Sequence, residues 1–214
     1  MTVKDIFQPD NLFSEVMTKI FDILLLNLLW LLCSLPAVTF GASTTALYAV
    51  MMKLVRGEEN GIVKSFFRSF RQNFRQSLPV TALLFIFGAV LAVDFHVLGR
   101  TGTKGASVMY GGCIALFIFG AGVFGYVFPL LAKFENTVKN TLVNGAKIAV
   151  THLWQTAVMI LINSAPLVWF LISPDTFSVI FWLWVFVGEG VSAFMIAKIV
   201  VRVFDAFIPE RNED

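Results

Sequence analysis

Charged residues are scarce in this sequence. Asp, Glu, Lys and Arg together make up 14% of the 214 residues, whereas a soluble domain carries about 25%. Hydrophobic residues make up 57% of the chain, and its mean hydropathy is +0.80. The apolar residues also come in blocks of about 20, the length of helix that crosses a hydrocarbon core. These proportions argue against a soluble globular protein and predict an integral membrane protein.

The residues and motifs that usually carry chemistry are equally scarce. The chain has two cysteines and two histidines, and Cys33 and Cys113 both lie in apolar blocks. That placement indicates neither a disulfide framework nor a metal site. The sequence contains no Walker-type glycine loop, no HExxH, no CxxC and no Ser-His-Asp set. We therefore expect no catalytic residues, no metal, no cofactor and no enzymatic activity. Basic residues this few, set between apolar blocks, also argue against nucleic acid binding.

Residues 61–78 interrupt the apolar blocks with a strongly amphipathic pattern. On a helix, four phenylalanines fall on one face and four basic residues gather on another, namely Phe66, Phe67, Phe70 and Phe74 against Lys64, Arg68, Arg71 and Arg75. A helix of this kind lies in the headgroup plane, with its aromatic face in the acyl boundary and its basic groups near water and anionic lipid. The stretch predicts an interfacial helix that serves either as a lipid anchor or as a docking surface for an acidic partner.

Residues 132–155 predict a second interfacial helix. Its apolar face includes Ala146 and Ala149 and is thinner than the phenylalanine face of the first helix. It is also less basic, and its charged residues include Glu135, Lys139 and Lys147. We expect it to be held less strongly at the membrane surface.

The remaining blocks predict an all-α polytopic helical bundle that forms a single integral membrane domain over residues 1–214. Its parts are an N-terminal surface helix and a helical hairpin (1–60), the first interfacial helix (61–78), two spans (79–131), the second interfacial helix (132–155), and two spans with a short tail (156–214). Residues 20–55 leave two alternatives open. A tight turn at Ser34-Leu35-Pro36 gives six spans, and Pro36 can then begin the second helix, where its missing N–H costs nothing. A kinked segment that crosses once gives five spans.

The distribution of basic residues predicts the orientation. With six spans, fourteen of the sixteen Lys and Arg residues fall on one side, and only Arg100 and Lys104 fall on the other. With five spans the division is twelve to four. Both arrangements obey the positive-inside rule, and both place the two interfacial helices in the cytoplasm.

Glu189 lies near the middle of the last predicted span. An ionisable residue at membrane depth is costly and is a functional-site hypothesis by default. One interpretation is an acid linked to protons, cations or a polar substrate. The other is a protonated or hydrogen-bonded carboxyl that fixes helix packing, and Gly188 and Gly190 allow the close helix approach that suits either. The candidate intramembrane partners of this carboxyl are polar residues of other spans, namely Asn27, Asn163 and Tyr126.

Three segments carry a family resemblance. They are NLLWLLCSLPAVTFGASTTALYAVMMKLVRGEE from Asn27, SFFRSFRQNFRQS from Ser65, and YVFPLLAKFENTVKNTLVNGAKIA from Tyr126. Together they resemble the YesL-like family of bacterial membrane proteins, a domain of unknown function. The resemblance implies a multi-pass protein of the bacterial cytoplasmic (inner) membrane and offers no catalytic residues to carry over.

The same resemblance implies an accessory or regulatory role beside ABC-type oligosaccharide importers in carbohydrate uptake. The expected partners are membrane lipid and either ABC transporter subunits or further copies of the chain. A permease subunit is not expected, because residues 134–149 lack the Glu-Ala-Ala start of a permease coupling loop. A stand-alone secondary transporter or channel is the alternative, motivated by Glu189 and the glycine-rich span 108–131.

Overall fold

A computed structural model describes residues 12–58, 61–101 and 104–207, and this part of the chain is helical without a strand. The helices are α1 (Leu12–Ser34), α2 (Phe40–Arg56), α3 (Ile62–Thr101), α4 (Lys104–Lys133), α5 (Val138–Thr151), α6 (Leu153–Asn163), α7 (Ala165–Ile172), α8 (Pro174–Leu183) and α9 (Glu189–Phe207). Within the described residues, five helical stretches are long and apolar enough to cross a membrane, and a bent pair could supply a sixth. The prediction of an all-α polytopic bundle is confirmed.

Residues 20–55 form two helices joined by a turn, as the hairpin interpretation requires. Trp30 Nε1 on α1 donates to Thr44 Oγ1 on α2 over 3.1 Å. Thr39 Oγ1 donates to the Cys33 carbonyl over 2.5 Å and closes the turn. Pro36 does not begin α2. It precedes a 3-10 turn (Ala37–Thr39), and its carbonyl accepts the Thr39 N–H.

The helix α2 is the centre of the core. Nearly all of its residues from Gly41 to Leu54 are buried. They pack against buried residues of α1, of the first half of α3, of the second half of α4 and of α9. Since protein surrounds α2 on most sides, its apolar residues face other helices more than they face lipid.

The predicted interfacial helix (61–78) and the predicted span that begins at Pro79 are not separated by a break, because α3 is one helix of 40 residues that contains Pro79. Proline removes one backbone hydrogen bond from a helix. Here the flanking packing outweighs that loss: Val80 is fully buried, and Thr81 Oγ1 donates to the Ser77 carbonyl over 2.8 Å. The Pro79 ring itself lies on the exposed side of the helix.

The second interfacial stretch and the span after it also differ in detail from the prediction. Helix α5 begins at the N-cap Thr137, whose side chain accepts the Asn140 N–H, and the chain turns by 103° between α5 and α6. The first of the two spans predicted within residues 156–214 is interrupted at Ser164, between α6 and α7, because Pro166 has no N–H to continue the helix.

The second of the two spans predicted within residues 156–214 is present. The chain breaks at Ser173, and residues Pro174–Ala206 form one candidate span. A π-helical segment, Trp184–Gly188, joins α8 to α9 inside this span.

Candidate functional site: a polar cluster at a π-helical segment

The π-helical segment ends directly before Glu189. The Glu189 N–H bonds to the Trp184 carbonyl, five residues back, instead of to the carbonyl four residues back. Such a segment inserts one residue into a helix and frees a backbone carbonyl from the regular ladder, and π-bulges are frequent at functional sites.

Asn27 of α1 supplies the hydrogen bonds that this segment needs. Its Nδ2 donates to the Val185 carbonyl over 3.0 Å and to the Phe186 carbonyl over 2.6 Å. The side chain is 1% exposed. Its Oδ1 is buried and has no hydrogen-bond partner among the described residues. One amide therefore serves two carbonyls and leaves an acceptor without a donor.

The two glycines beside Glu189, Gly188 and Gly190, make room for different neighbours. A Cβ on Gly190 would lie 2.8 Å from Asn27 Cβ and 3.0 Å from the Ile23 carbonyl, so Gly190 permits the close approach of α9 to α1. A Cβ on Gly188 would lie 2.7 Å from the Trp184 ring. Gly188 thus makes room for an indole of its own helix rather than for a neighbouring helix.

Two aromatic residues meet the Glu189 side chain. The Trp184 indole of the preceding turn and the Tyr48 phenol of α2, which is 7% exposed, lie near this side chain. No ion pair among the described residues includes Glu189. We call Asn27, Tyr48, Trp184 and Glu189 the Glu189 cluster. It is a polar cluster without a compensating cation.

Of the three predicted partners of Glu189, only Asn27 lies at the π-helical segment, where it bonds to the Val185 and Phe186 carbonyls rather than to the Glu189 carboxyl. Asn163 is exposed at the end of α6. Tyr126 is fully buried, and its hydroxyl accepts a hydrogen bond from Thr156 Oγ1 over 3.4 Å. Sequence reasoning missed Trp184 and Tyr48. Trp184 and Glu189 are five residues apart, which places them on different faces of a regular α-helix. The sequence therefore gave no indication that they lie near each other, because only a π-turn brings them together.

The four basic residues of α3, Lys64, Arg68, Arg71 and Arg75, are all exposed, and we call them the basic face. The phenylalanines do not form the lipid-facing surface that the pattern predicts. Phe66 is fully buried in the core, Phe70 and Phe74 are half-buried, and Phe67 is 40% exposed. The stacked rings of Phe66 and Phe70, with centroids 6.4 Å apart, mark a face that packs largely on protein.

The basic face and α5 lie at the same end of the bundle. Gln76 of α3 donates to the Asn136 carbonyl just before α5. Between them lies a polar cleft of about 670 Å³ lined mainly by amide side chains of α3 and by residues 131–137. Asp205 of α9 pairs with Arg56 of α2 and, over 3.4 Å, with Lys133 of α4, which joins three helix ends there. The charged residues of the second stretch, Glu135, Lys139 and Lys147, are all exposed.

No group of three or more His, Cys, Asp or Glu residues that could hold a metal ion occurs within the described ranges. The Glu189 cluster offers one carboxylate, one amide oxygen and one phenol. What these groups can do together is exchange a proton or bind a small polar ligand, and they provide no nucleophile paired with a base.

Comparisons with known proteins place the chain in a family context. Residues 23–95 match the sequence model of a family described as "Protein of unknown function, DUF624". The uncharacterized protein YteU of Bacillus subtilis (strain 168) is 29% identical over 143 residues, a match that covers 65% of this chain and 64% of YteU. No solved structure matches the chain. The predicted resemblance is thereby confirmed: the chain is similar to the YesL-like proteins of DUF624, a family whose description gives no function.

Proposed function

We propose that this chain is a non-enzymatic subunit of the bacterial cytoplasmic membrane that docks an acidic cytoplasmic partner on its basic end. The proposed role is accessory or regulatory, beside an ABC-type importer in carbohydrate uptake. The observation that carries the docking role is the exposed basic face of α3 next to α5. The link to carbohydrate uptake rests on the family resemblance alone. The cytoplasmic placement of this end follows the positive-inside rule.

The length of α3 supports docking over simple lipid anchoring. Its 40 residues would measure about 60 Å if straight, about twice the thickness of the hydrocarbon core. The apolar half after Pro79 suits the hydrocarbon. The half that carries the basic face is then left at or beyond the interface, with Ile62 and Phe66 buried against the core. The basic groups therefore stand on a surface fixed by protein packing, which suits recognition of a folded partner.

The test is affinity capture of the tagged full chain from its native membrane in mild detergent, followed by mass spectrometry. We expect stoichiometric recovery of ABC permease or ATPase subunits. The double variant R71E/R75E should lower that recovery about tenfold or more, since each 1.4 kcal/mol of lost binding energy is a factor of ten. The matched control R100E/K104E changes the same charge at the opposite end of the bundle and should recover the partner normally. Recovery of the chain with no importer subunit would refute the proposal.

A stand-alone transporter or channel is the second candidate function, and the π-helical segment beside Glu189 is the observation that favours it. In this case the purified protein in liposomes should move protons, ions or sugar. E189Q should reduce that flux strongly, whereas E135Q, which changes an exposed carboxyl, should not. Liposomes that show no flux, with E189Q identical to the wild type, would count against this function.

A further inference from the structure

We propose that the groove between α6 and α9 binds one anionic phospholipid, with the phosphodiester headgroup at Arg202 and the start of an acyl chain between the two helices. The groove is separate from the basic face, because no residue of α3 lines it. The inference goes beyond the docking function, since it assigns a ligand to a surface that the docking proposal does not use.

The groove is a cavity of about 360 Å³ whose walls come from the first two turns of α6 and the last turns of α9. Its volume is within the range of ligand-binding pockets, roughly 300–1,000 Å³. The groove lies at the same end of the bundle as the basic face, because Asp205 of α9 pairs there with Lys133 of α4. It therefore opens where the bundle meets the headgroups of one leaflet.

The groove is polar at its outer end and apolar further in. Gln155 at the start of α6 and Arg202 near the end of α9 line the outer part. Because α6 runs into the bundle from this end and α9 runs out towards it, Val158 and Ile199 lie about one turn deeper on the two walls. A phospholipid has the same order of groups, with a charged headgroup followed by apolar chains. Basic pockets between membrane helices are a known binding mode for anionic headgroups.

The outer end of the groove is held in place by hydrogen bonds at the turn between α5 and α6. The chain turns by 103° there. The buried Thr156 Oγ1 donates to the His152 carbonyl over 2.9 Å and lies 3.0 Å from the Ala149 carbonyl. This arrangement leaves the Trp154 indole, which also lines the groove, 78% exposed. Exposed tryptophans are typical of the membrane–water interface, where the ring lies among headgroups and its N–H can bond to them.

The charges at the groove favour a headgroup with a net negative charge. Arg202 is exposed, and no ion pair among the described residues includes it. The groove lining contains no Asp or Glu, and the carboxylate of Asp205 is directed to Arg56 and Lys133 instead. A guanidinium can form two parallel hydrogen bonds to a phosphodiester. The ammonium of a zwitterionic headgroup would find no carboxylate in this groove, so the site should prefer phosphatidylglycerol to phosphatidylethanolamine.

The experiment is native mass spectrometry of the full chain in detergent, titrated with phosphatidylglycerol or with phosphatidylethanolamine. We expect the wild type to retain one phosphatidylglycerol at concentrations at which it retains no phosphatidylethanolamine. Arg202→Gln should weaken the binding of phosphatidylglycerol about tenfold, because a hydrogen bond to a charged group is lost. Arg68→Gln is the matched control, since it removes the same charge from an exposed position on the basic face and should bind phosphatidylglycerol as the wild type does.

Two further variants test the apolar part of the groove. Ile199→Trp fills it and should weaken the binding of phosphatidylglycerol, whereas Val191→Trp, at an exposed position of the same helix, should not. Thermal unfolding without lipid shows whether each variant is folded. Phosphatidylglycerol should raise the unfolding temperature of the wild type more than that of Arg202→Gln, and glycerol 3-phosphate, which has no acyl chain, should not raise it.

Four results would overturn the proposal. They are equal retention of the two lipids, equal losses in Arg202→Gln and Arg68→Gln, unchanged binding in a folded Ile199→Trp protein, and stabilisation by glycerol 3-phosphate as large as that by phosphatidylglycerol. The last result would assign the groove to a free phosphate ester instead of a lipid. No importer subunit takes part in these measurements, so they fail or succeed separately from partner capture.

Discussion

Gly41→Ala should lower the free energy of unfolding by about 1–3 kcal/mol, the range observed when an extra methyl group is forced into a packed core. A Cβ at this position would overlap Thr81 Oγ1 and would lie 3.2 Å from both the Ser77 carbonyl and the Phe128 ring. The Thr81 hydroxyl is held by its hydrogen bond to the Ser77 carbonyl, and that carbonyl belongs to the α3 backbone. Because neither the Thr81 hydroxyl nor the Ser77 carbonyl can move without a loss of stability, α2 and α3 must move apart to admit the methyl group.

Gly88→Ala is the matched control. Gly88 lies in the same helix as Thr81, and a Cβ there would meet no atom within 4 Å. Alanine in a helix interior is favoured over glycine by roughly 0.5–1 kcal/mol, so this variant should be slightly more stable than the wild type. Denaturant or thermal unfolding in detergent measures both. The double variant G41A/T81A should recover part of the loss, because the overlapping hydroxyl is gone. A G41A protein as stable as G88A would show that α2 and α3 do not pack at this point.

The sequence carries the helical periodicity and the length of the apolar blocks, and these were enough to predict the bundle, although they left open whether residues 20–55 form a hairpin or a single kinked segment. They were not enough to predict what each amphipathic face contacts. Phe66 and its neighbours read as a lipid-facing row because lipid and protein core demand the same apolar side chains. Only the tertiary packing of α2 on α3 shows that Phe66 faces protein.

The limits at the Glu189 cluster have a different cause. Glu189 and Asn27 were found from composition alone, since a carboxyl and an amide inside apolar blocks are conspicuous. The π-segment has no such signal: residues 184–188 are apolar and fit an α-helix equally well. Its extra residue decides which carbonyls are free and which ring meets the carboxyl. A hydrophobic pattern that assumes 3.6 residues per turn cannot show where a helix contains such an extra residue.

Asn27→Leu should destabilise the protein by about 1–3 kcal/mol, the cost of leaving buried polar groups without a partner. Leucine branches at Cγ as asparagine does but removes both donors, so the Val185 and Phe186 carbonyls lose the bonds of 3.0 Å and 2.6 Å that satisfy them. Asn163→Leu is the control, because Asn163 is exposed and its replacement should change stability by less than about 0.5 kcal/mol. The two asparagines looked equivalent in the sequence, and unfolding in detergent should separate them.

Asn27→Asp should make the loss of stability depend on pH. An ionised aspartate has no donor and directs two acceptors at the same carbonyls, so at neutral pH it should cost at least as much as leucine. At acidic pH the aspartate is protonated and its O–H can donate to one carbonyl, so the cost should shrink as the pH falls, while that of Asn27→Leu stays constant. If Asn27→Asp were as stable as the wild type at neutral pH, the π-segment would not depend on a donor from α1. The hydrogen bonds from the Asn27 amide would then be a consequence of the π-segment and would not be what stabilises it.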